Sequence, residues 1–157
     1  RGIADPGNLF ITGGSAGGIA TAYAIGLTNR FKAAVVAKPV INWISKVLTA
    51  DSYIYQIPYQ FPGMPWDEYE HYWKRSPLSL VGNVTTPTML ITGEDDQRTP
   101  ISETEQFYQA LKLQKVDSVM IRVPGASHGI AGKPSRLNAK VDNILAWFRQ
   151  YHNNDDE

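Results

Sequence analysis

Cysteine is absent from the 157 residues. That excludes disulfides, thiolate metal ligands and a cysteine nucleophile, and it suits a reducing compartment, which favours the cytoplasm. No apolar run approaches the ~18 residues that a membrane helix needs, so no membrane span is expected. An excess of one charge is lacking as well: 15 Lys plus Arg balance 15 Asp plus Glu. A nucleic-acid partner would call for a phosphate-neutralising basic face, so none is expected. No H-E-x-x-H occurs, and the group Glu68, Glu70 and His71 lacks a further residue at ligand spacing, so neither metal nor cofactor is expected. No repeat or low-complexity segment is visible. An initiating methionine is missing too. The chain opens at Arg1 without a signal-peptide pattern and is in a buried-looking strand by Phe10, which suggests a fragment or a processed chain.

What is present is an ordinary globular composition, 43% hydrophobic and 19% charged, with the length of one domain or a piece of one. Four short apolar runs read as strands: Leu9 to Thr12, Ala33 to Ala37, Thr88 to Thr92 and Ser118 to Val123. None alternates cleanly, which suits parallel strands covered on both faces. Helical patterns lie between them. Gly18 to Asn29 is Ala-rich and apolar nearly all round, so a deeply buried helix is expected. Ser102 to Leu113 opens with Ser102-x-x-Glu105 after Pro100, a capping-box pattern, and carries Phe107, Ala110, Leu111 and Gln114 on one stripe. After Pro134-Ser135, the residues Leu137, Val141, Ile144, Leu145 and Phe148 recur at helical spacing and are expected to pack on the sheet. Strand–helix alternation of this kind predicts an open α/β sheet with right-handed crossovers. Asn153 to Glu157 is polar and reads as a frayed tail.

The stretch from Pro39 to Pro87 breaks the rhythm. It carries Pro39, Pro58, Pro62, Pro65, Pro77 and Pro87, and the aromatics Tyr53, Tyr55, Tyr59, Phe61, Trp66, Tyr69, Tyr72 and Trp73. Short helices are expected near Ile44 to Leu48 and Asp67 to Lys74. The aromatic part either lines a substrate pocket or faces a domain absent from this chain, or it covers the sheet edge as core. Excursions of this length are usually functional or interfacial.

The sharpest motif is Gly13-Gly14-Ser15-Ala16-Gly17-Gly18. It contains G-x-S-x-G between a predicted strand and a predicted helix. A serine nucleophile needs that layout: a sharp strand-to-helix turn exposes the hydroxyl, and side chains at Gly13 and Gly17 are expected to collide across it. The following helix N-terminus aims N–H groups at the site, that of Ala16 first, as one oxyanion-hole donor. A phosphate loop of the Walker type needs Lys after the last glycine, where Ile19 stands, and G-x-G-x-x-G is absent.

Serine needs a base and an orienting carboxylate. Of three histidines, His71 lies in a charged, aromatic helical segment and His152 in the tail. His128 sits in Pro124-Gly125-Ala126-Ser127-His128-Gly129, directly after the last predicted strand, where an α/β sheet presents its active edge. The acid belongs between Ser15 and His128 in chain order. Gly93-Glu94-Asp95-Asp96-Gln97-Arg98-Thr99-Pro100 follows the third strand. Three acids there would repel if all pointed inward, so most are expected in solvent. Local chemistry leaves Asp95 and Asp96 both open.

With these motifs in order, the chain resembles the C-terminal part of the catalytic α/β-hydrolase domain of the prolyl oligopeptidase family of serine peptidases, acylaminoacyl- and dipeptidyl-peptidase-like members above all. The resemblance runs over almost the whole chain. It rests on the serine motif, on Arg75-Ser76-Pro77 before Thr86-Pro87, on Gly93 to Pro100 followed by Phe107-Tyr108-Gln109-Ala110-Leu111, and on Pro124 to His128. It implies residues 1–150 as about four strands of a mostly parallel sheet with flanking helices, and 151–157 as a polar tail. It implies Ser15 as nucleophile, His128 as base and Asp96, three residues after the strand-end glycine, as acid. Arg98 is implied to be structural, paired with a loop carboxylate, and Thr99 stands where Val is commoner. The implied substrate is a short peptide, cleaved through an acyl-enzyme without cofactor. The implied partners are an N-terminal half of the sheet, which supplies the second oxyanion donor, and a β-propeller, neither of which precedes Arg1. Exposed aromatics in so short a chain further suggest a homo-oligomer. The rival readings are a carboxylesterase or lipase of the same fold, and an inactive module that keeps the motif by descent.

Overall fold

The apolar runs pair in the order in which they occur. In a computed structural model that describes residues 3–152, strands β1 (Phe10–Gly14), β2 (Ala33–Ala37), β3 (Thr88–Gly93) and β4 (Ser118–Val123) form one parallel sheet, ordered β1-β2-β3-β4. Register follows from the aligned starts, with Phe10 beside Ala33, Ala34 beside Thr88 and Thr88 beside Ser118. The β1–β2 and β3–β4 crossovers carry α1 (Ala16–Leu27) and α5 (Ile101–Leu113), and α6 (Pro134–Gln150) follows β4. The β2–β3 connection holds α2 (Trp43–Thr49), α3 (Tyr53–Gln60), α4 (Tyr69–Arg75) and a 3-10 helix, Pro77–Asn83.

The missing alternation in β2 and β3 has a direct cause. Ala34, Val36 and Leu90 face one apolar cluster with Ala22, Ile25, Phe107 and Leu111 from α1 and α5. Ala33, Val35, Ala37, Met89 and Ile91 face another with Ile130 and, on α6, Trp147. Both strands are buried throughout, so both faces need apolar residues. Each fully buried Val, Leu or Ile contributes about 1.5–3 kcal/mol of transfer free energy. The outer strands β1 and β4 are only partly buried.

Several local expectations are corrected. Helix α1 buries one face, Gly18, Thr21, Ala22, Ile25 and Gly26, and leaves Leu27 69% exposed, because only that face meets the sheet and the 3-10 helix. The capping box does not form. Helix α5 begins at Ile101, so Ser102 already lies inside it, and Glu105 reaches Arg122 on β4 instead. The buried stripe of α5 is Glu103, Thr104, Phe107 and Leu111. On α6, Ile144 and Phe148 pack toward the sheet with Trp147, whereas Leu137, Val141 and Leu145 stay exposed. Helix α3 was hidden by Pro58, which lies inside it, and by the lack of any buried residue. The aromatic excursion is core only at its base, where Phe61 stacks on Tyr72 at 3.9 Å beside Val47. Tyr53, Tyr55, Tyr59, Trp66 and Tyr69 are exposed. Asn153 to Glu157, expected as a frayed tail, lie outside the described residues.

Candidate active site

Parallel strands of one sheet end on the same edge, and their following loops share it. Three such loops converge here. Ser15 terminates the first, between β1 and α1, with φ 58° and ψ −118°, a conformation an L-residue adopts only under constraint. Its N–H is tied to the Ala37 carbonyl at the end of β2, at 3.0 Å. Gly13 makes the turn possible: a Cβ there would lie 2.2 Å from the Gly17 carbonyl. The expected clash at Gly17 itself is absent, since a Cβ there meets nothing within 4 Å; the neighbouring Gly18 is the crowded one, 2.6 Å from the Ala37 carbonyl. Ala16 opens α1, and N–H groups of a first helical turn have no intrahelical acceptor.

The second loop follows β3. Asp96 is buried, while Glu94 and Asp95 are exposed, so the crowding of three acids is relieved by solvent as expected. Glu94 pairs with Arg122. The Asp96 Oδ1 accepts the N–H groups of Arg98 and Thr99, both at 2.9 Å. Arg98 turns outward onto Asp51, at 2.7 Å, and the Gln97 carbonyl accepts the Asp51 N–H. The guanidinium holds the Asp51 carboxyl below its usual range.

The third loop follows β4. A Cβ on Gly93 would lie 2.1 Å from the Ala126 carbonyl, so glycine at that position lets this loop rest on the end of β3. The loop delivers His128. Its Nδ1 lies 2.8 Å from Asp96 Oδ2 and its Nε2 lies 2.9 Å from Ser15 Oγ. A carboxylate only accepts, so Nδ1–H donates to Asp96, and Nε2 is left to accept from the serine hydroxyl. The imidazole is 28% exposed and the carboxylate not at all, which keeps the pair partly out of water yet reachable. His71 is packed edge-on to Phe61, and His152 stacks on Phe10; the geometry leaves both to packing.

Two neighbours carried no sequence signal. Lys38, just past β2 with φ 41°, donates from Nζ to the His128 carbonyl at 2.5 Å, and burial lowers its ammonium's affinity for the proton, with Lys140 adding repulsion. Thr99, legible only as a departure from the commoner Val, places its hydroxyl 3.0 Å from Asp96 Oδ2 and 3.2 Å from His128 Nδ1.

Comparison with known proteins agrees with this edge. The model of the prolyl oligopeptidase family matches residues 1–155. The chain belongs to that family. It is 38% identical over 149 residues to the uncharacterized peptidase YuxL of Bacillus subtilis, covering 94% of this chain and 23% of that one. It is 32% identical over 160 residues to the acylamino-acid-releasing enzyme of Arabidopsis thaliana, covering 96% of this chain and 20% of the plant protein. Among solved structures, the acylaminoacyl peptidase of Pyrococcus horikoshii superposes with a TM-score of 0.87 at 27% identity, over 98% of this chain and 26% of that one. A puromycin-hydrolyzing peptidase of Mycobacterium tuberculosis gives 0.86 at 32% identity, over 96% of this chain and 23% of that one. This family chain therefore spans roughly a fifth to a quarter of the length of the proteins it matches, and its four strands correspond to part of an α/β-hydrolase domain.

Proposed function

We propose that the segment carries the nucleophile, base and acid of a serine peptidase acting on short peptides, like the acylaminoacyl peptidases it resembles. The observation that supports the reading is the unbroken series of hydrogen bonds from Ser15 Oγ through the His128 imidazole to Asp96 Oδ2. In this mechanism Ser15 Oγ attacks the acyl carbonyl carbon as its proton passes to His128 Nε2. Asp96 holds the imidazole tautomer and stabilises the imidazolium without taking the proton. The oxyanion of the tetrahedral intermediate accepts the N–H of Ala16. Collapse of that intermediate breaks the C–N bond, and Nε2–H protonates the departing amine. Water, deprotonated by the same nitrogen, then cleaves the ester on Ser15.

The second oxyanion donor, the remaining sheet and a β-propeller that restricts entry to short peptides would come from the additional length that the relatives carry. In the full-length protein, Ser15→Ala and His128→Ala are expected to lower kcat by up to about 10⁶, and Asp96→Asn by about 10⁴. Steady-state turnover of an acylated peptide amide checks this, and substantial residual activity in either of the first two variants overturns the assignment. Loss of turnover in Asp95→Asn, with Asp96→Asn active, would move the acid to the neighbouring residue. Side-by-side turnover of a short acyl ester separates peptidase from esterase.

A further inference from the structure

The Asp96 carboxylate is saturated. Oδ1 accepts the N–H groups of Arg98 and Thr99, and Oδ2 accepts His128 Nδ1–H at 2.8 Å and the Thr99 hydroxyl at 3.0 Å. Two carboxylate oxygens offer about four acceptor sites, and all are used. Thr99 alone reaches both oxygens, with its N–H on one and its hydroxyl on the other. The terminal torsion of an aspartate is broad and roughly two-fold, so one anchored oxygen does not fix where the second one points. Anchoring both does.

The hydroxyl has a single proton and three polar neighbours: Asp96 Oδ2 at 3.0 Å, the Lys38 carbonyl at 3.2 Å and His128 Nδ1 at 3.2 Å. The charged acceptor is nearest and makes the stronger bond, so the proton goes to Oδ2. An oxygen lone pair then faces Nδ1–H beside the carboxylate. Thr99 is 3% exposed, so water does not stand in for the hydroxyl. We propose that Thr99 is a positioning residue, whose hydroxyl and N–H together hold the Asp96 carboxylate with Oδ2 turned to the His128 imidazole. This rests on the Ser15–His128–Asp96 reading above.

Two consequences follow from removing the hydroxyl. The carboxylate gains freedom to rotate, which loosens the imidazole in the transition state. Oδ2 also keeps the negative charge that the hydroxyl had drawn off, which favours the protonated imidazole. The other charged groups acting on the pair are Lys38 at the end of β2, Lys46 on α2, and Asp51 with Arg98 beside the acid loop. Exposed Asp95 adjoins it in sequence. All of these are unchanged by the substitution.

The test uses the full-length protein. Thr99→Val keeps the volume and the backbone N–H. The expected result is a kcat lower by about tenfold, KM within about twofold, and an acid limb of kcat/KM moved up by about half a pH unit. Thr99→Ser is expected to restore all three. Thr99→Ala, which sets no second methyl against the imidazole, is expected to shift the limb in the same direction. Unchanged kcat and limb in both Thr99→Val and Thr99→Ala overturn the proposal. So does a loss of kcat with an unmoved limb that Thr99→Ser fails to repair, since that is the mark of packing alone. Labelling of Ser15 by a fluorophosphonate in the unsubstituted protein separates the two readings. With labelling intact, a null result at Thr99 removes only the positioning role; without labelling, the serine mechanism falls and Thr99 falls with it.

Discussion

The backbone at Ser15 is held at φ 58° and ψ −118°, and strain of this kind costs about 1–3 kcal/mol for a residue with a Cβ. Glycine escapes that cost. Ser15→Gly and Ser15→Ala are both expected to abolish turnover, yet the glycine variant should be the more stable by about 1 kcal/mol. Thermal unfolding of the two variants checks it, and equal midpoints would mean the turn is unstrained. The two motif glycines diverge in the same way. Gly13→Ala drives a Cβ to 2.2 Å from a backbone carbonyl and is expected to destabilise by about 3 kcal/mol or more. Gly17→Ala meets open space and is expected to stabilise α1 by about 0.5–1 kcal/mol. Chemical denaturation of the pair reads both, and a costly Gly17→Ala would contradict the geometry. At this scale much of the candidate site is readable from sequence, because Gly13, Gly18 and Gly93 permit the close backbone approach that the loops carrying Ser15, Asp96 and His128 need. The choice between Asp95 and Asp96 is not readable from local chemistry. Adjacent residues of one turn differ only in which side of it they face, and a loop from the far end of the chain decides that.

Helices α2 and α5 carry charge where their positions in the fold leave no water. Lys46 on α2 is 1% exposed, and its Nζ donates to Ser52 Oγ and Gln56 Oε1 at the start of α3. Burial lowers its pKa from 10.5 to about 8, against the opposing pull of Asp51 and Glu103. Between those values the unfolded chain holds a proton that the folded one has released, so stability rises as pH climbs from about 8 toward 10.5. Lys46→Met is expected to lose that rise, whatever its stability at pH 7. Unfolding midpoints of parent and variant across this window check it, and parallel pH curves would mean that Lys46 keeps its proton in the folded protein. Glu103 on α5 is as deeply placed, accepting from Ile41 N, Asn42 N and Ser45 Oγ, and burial raises its pKa despite those donors. Neither residue is legible as buried from sequence. Lys46 sits in a short helix of a proline-rich excursion, and Glu103 reads as an ordinary acidic residue in the first turn of a helix. The sheet is legible for the opposite reason. Ala33 to Ala37 is apolar at every step and Met89, Leu90 and Ile91 are three apolar residues in a row, and only a strand covered on both faces needs that.

Over the whole molecule, exposed apolar side chains among the described residues cluster in two segments. One is the aromatic excursion, with Tyr53, Ile54, Tyr55, Tyr59 and Trp66 exposed; the other is α6, whose Leu137, Val141 and Leu145 lie in one row at i, i+4 and i+8. Among the described residues β1 pairs with β2 alone, leaving the far edge of the sheet open. Unpaired edges and contiguous apolar patches both promote association. Matched proteins are four to five times longer than this segment, with coverage of 20–26%. Expressed as these 157 residues alone, the segment is expected to self-associate, with a light-scattering mass above 17.4 kDa. Its Ser15 is also expected to react with a fluorophosphonate about 10²–10³-fold more slowly than in the full-length protein. The Ala16 N–H would then act without its companion donor, and one such donor is worth that factor. The two measurements fail independently. A monomer that reacts slowly would mean that the exposed rows on α3 and α6 tolerate water, with the missing donor still assigned outside the segment. An oligomer that reacts at the full-length rate would place both oxyanion donors within residues 1–157, and the N–H groups that open α1 beside Ala16 would be the first to substitute.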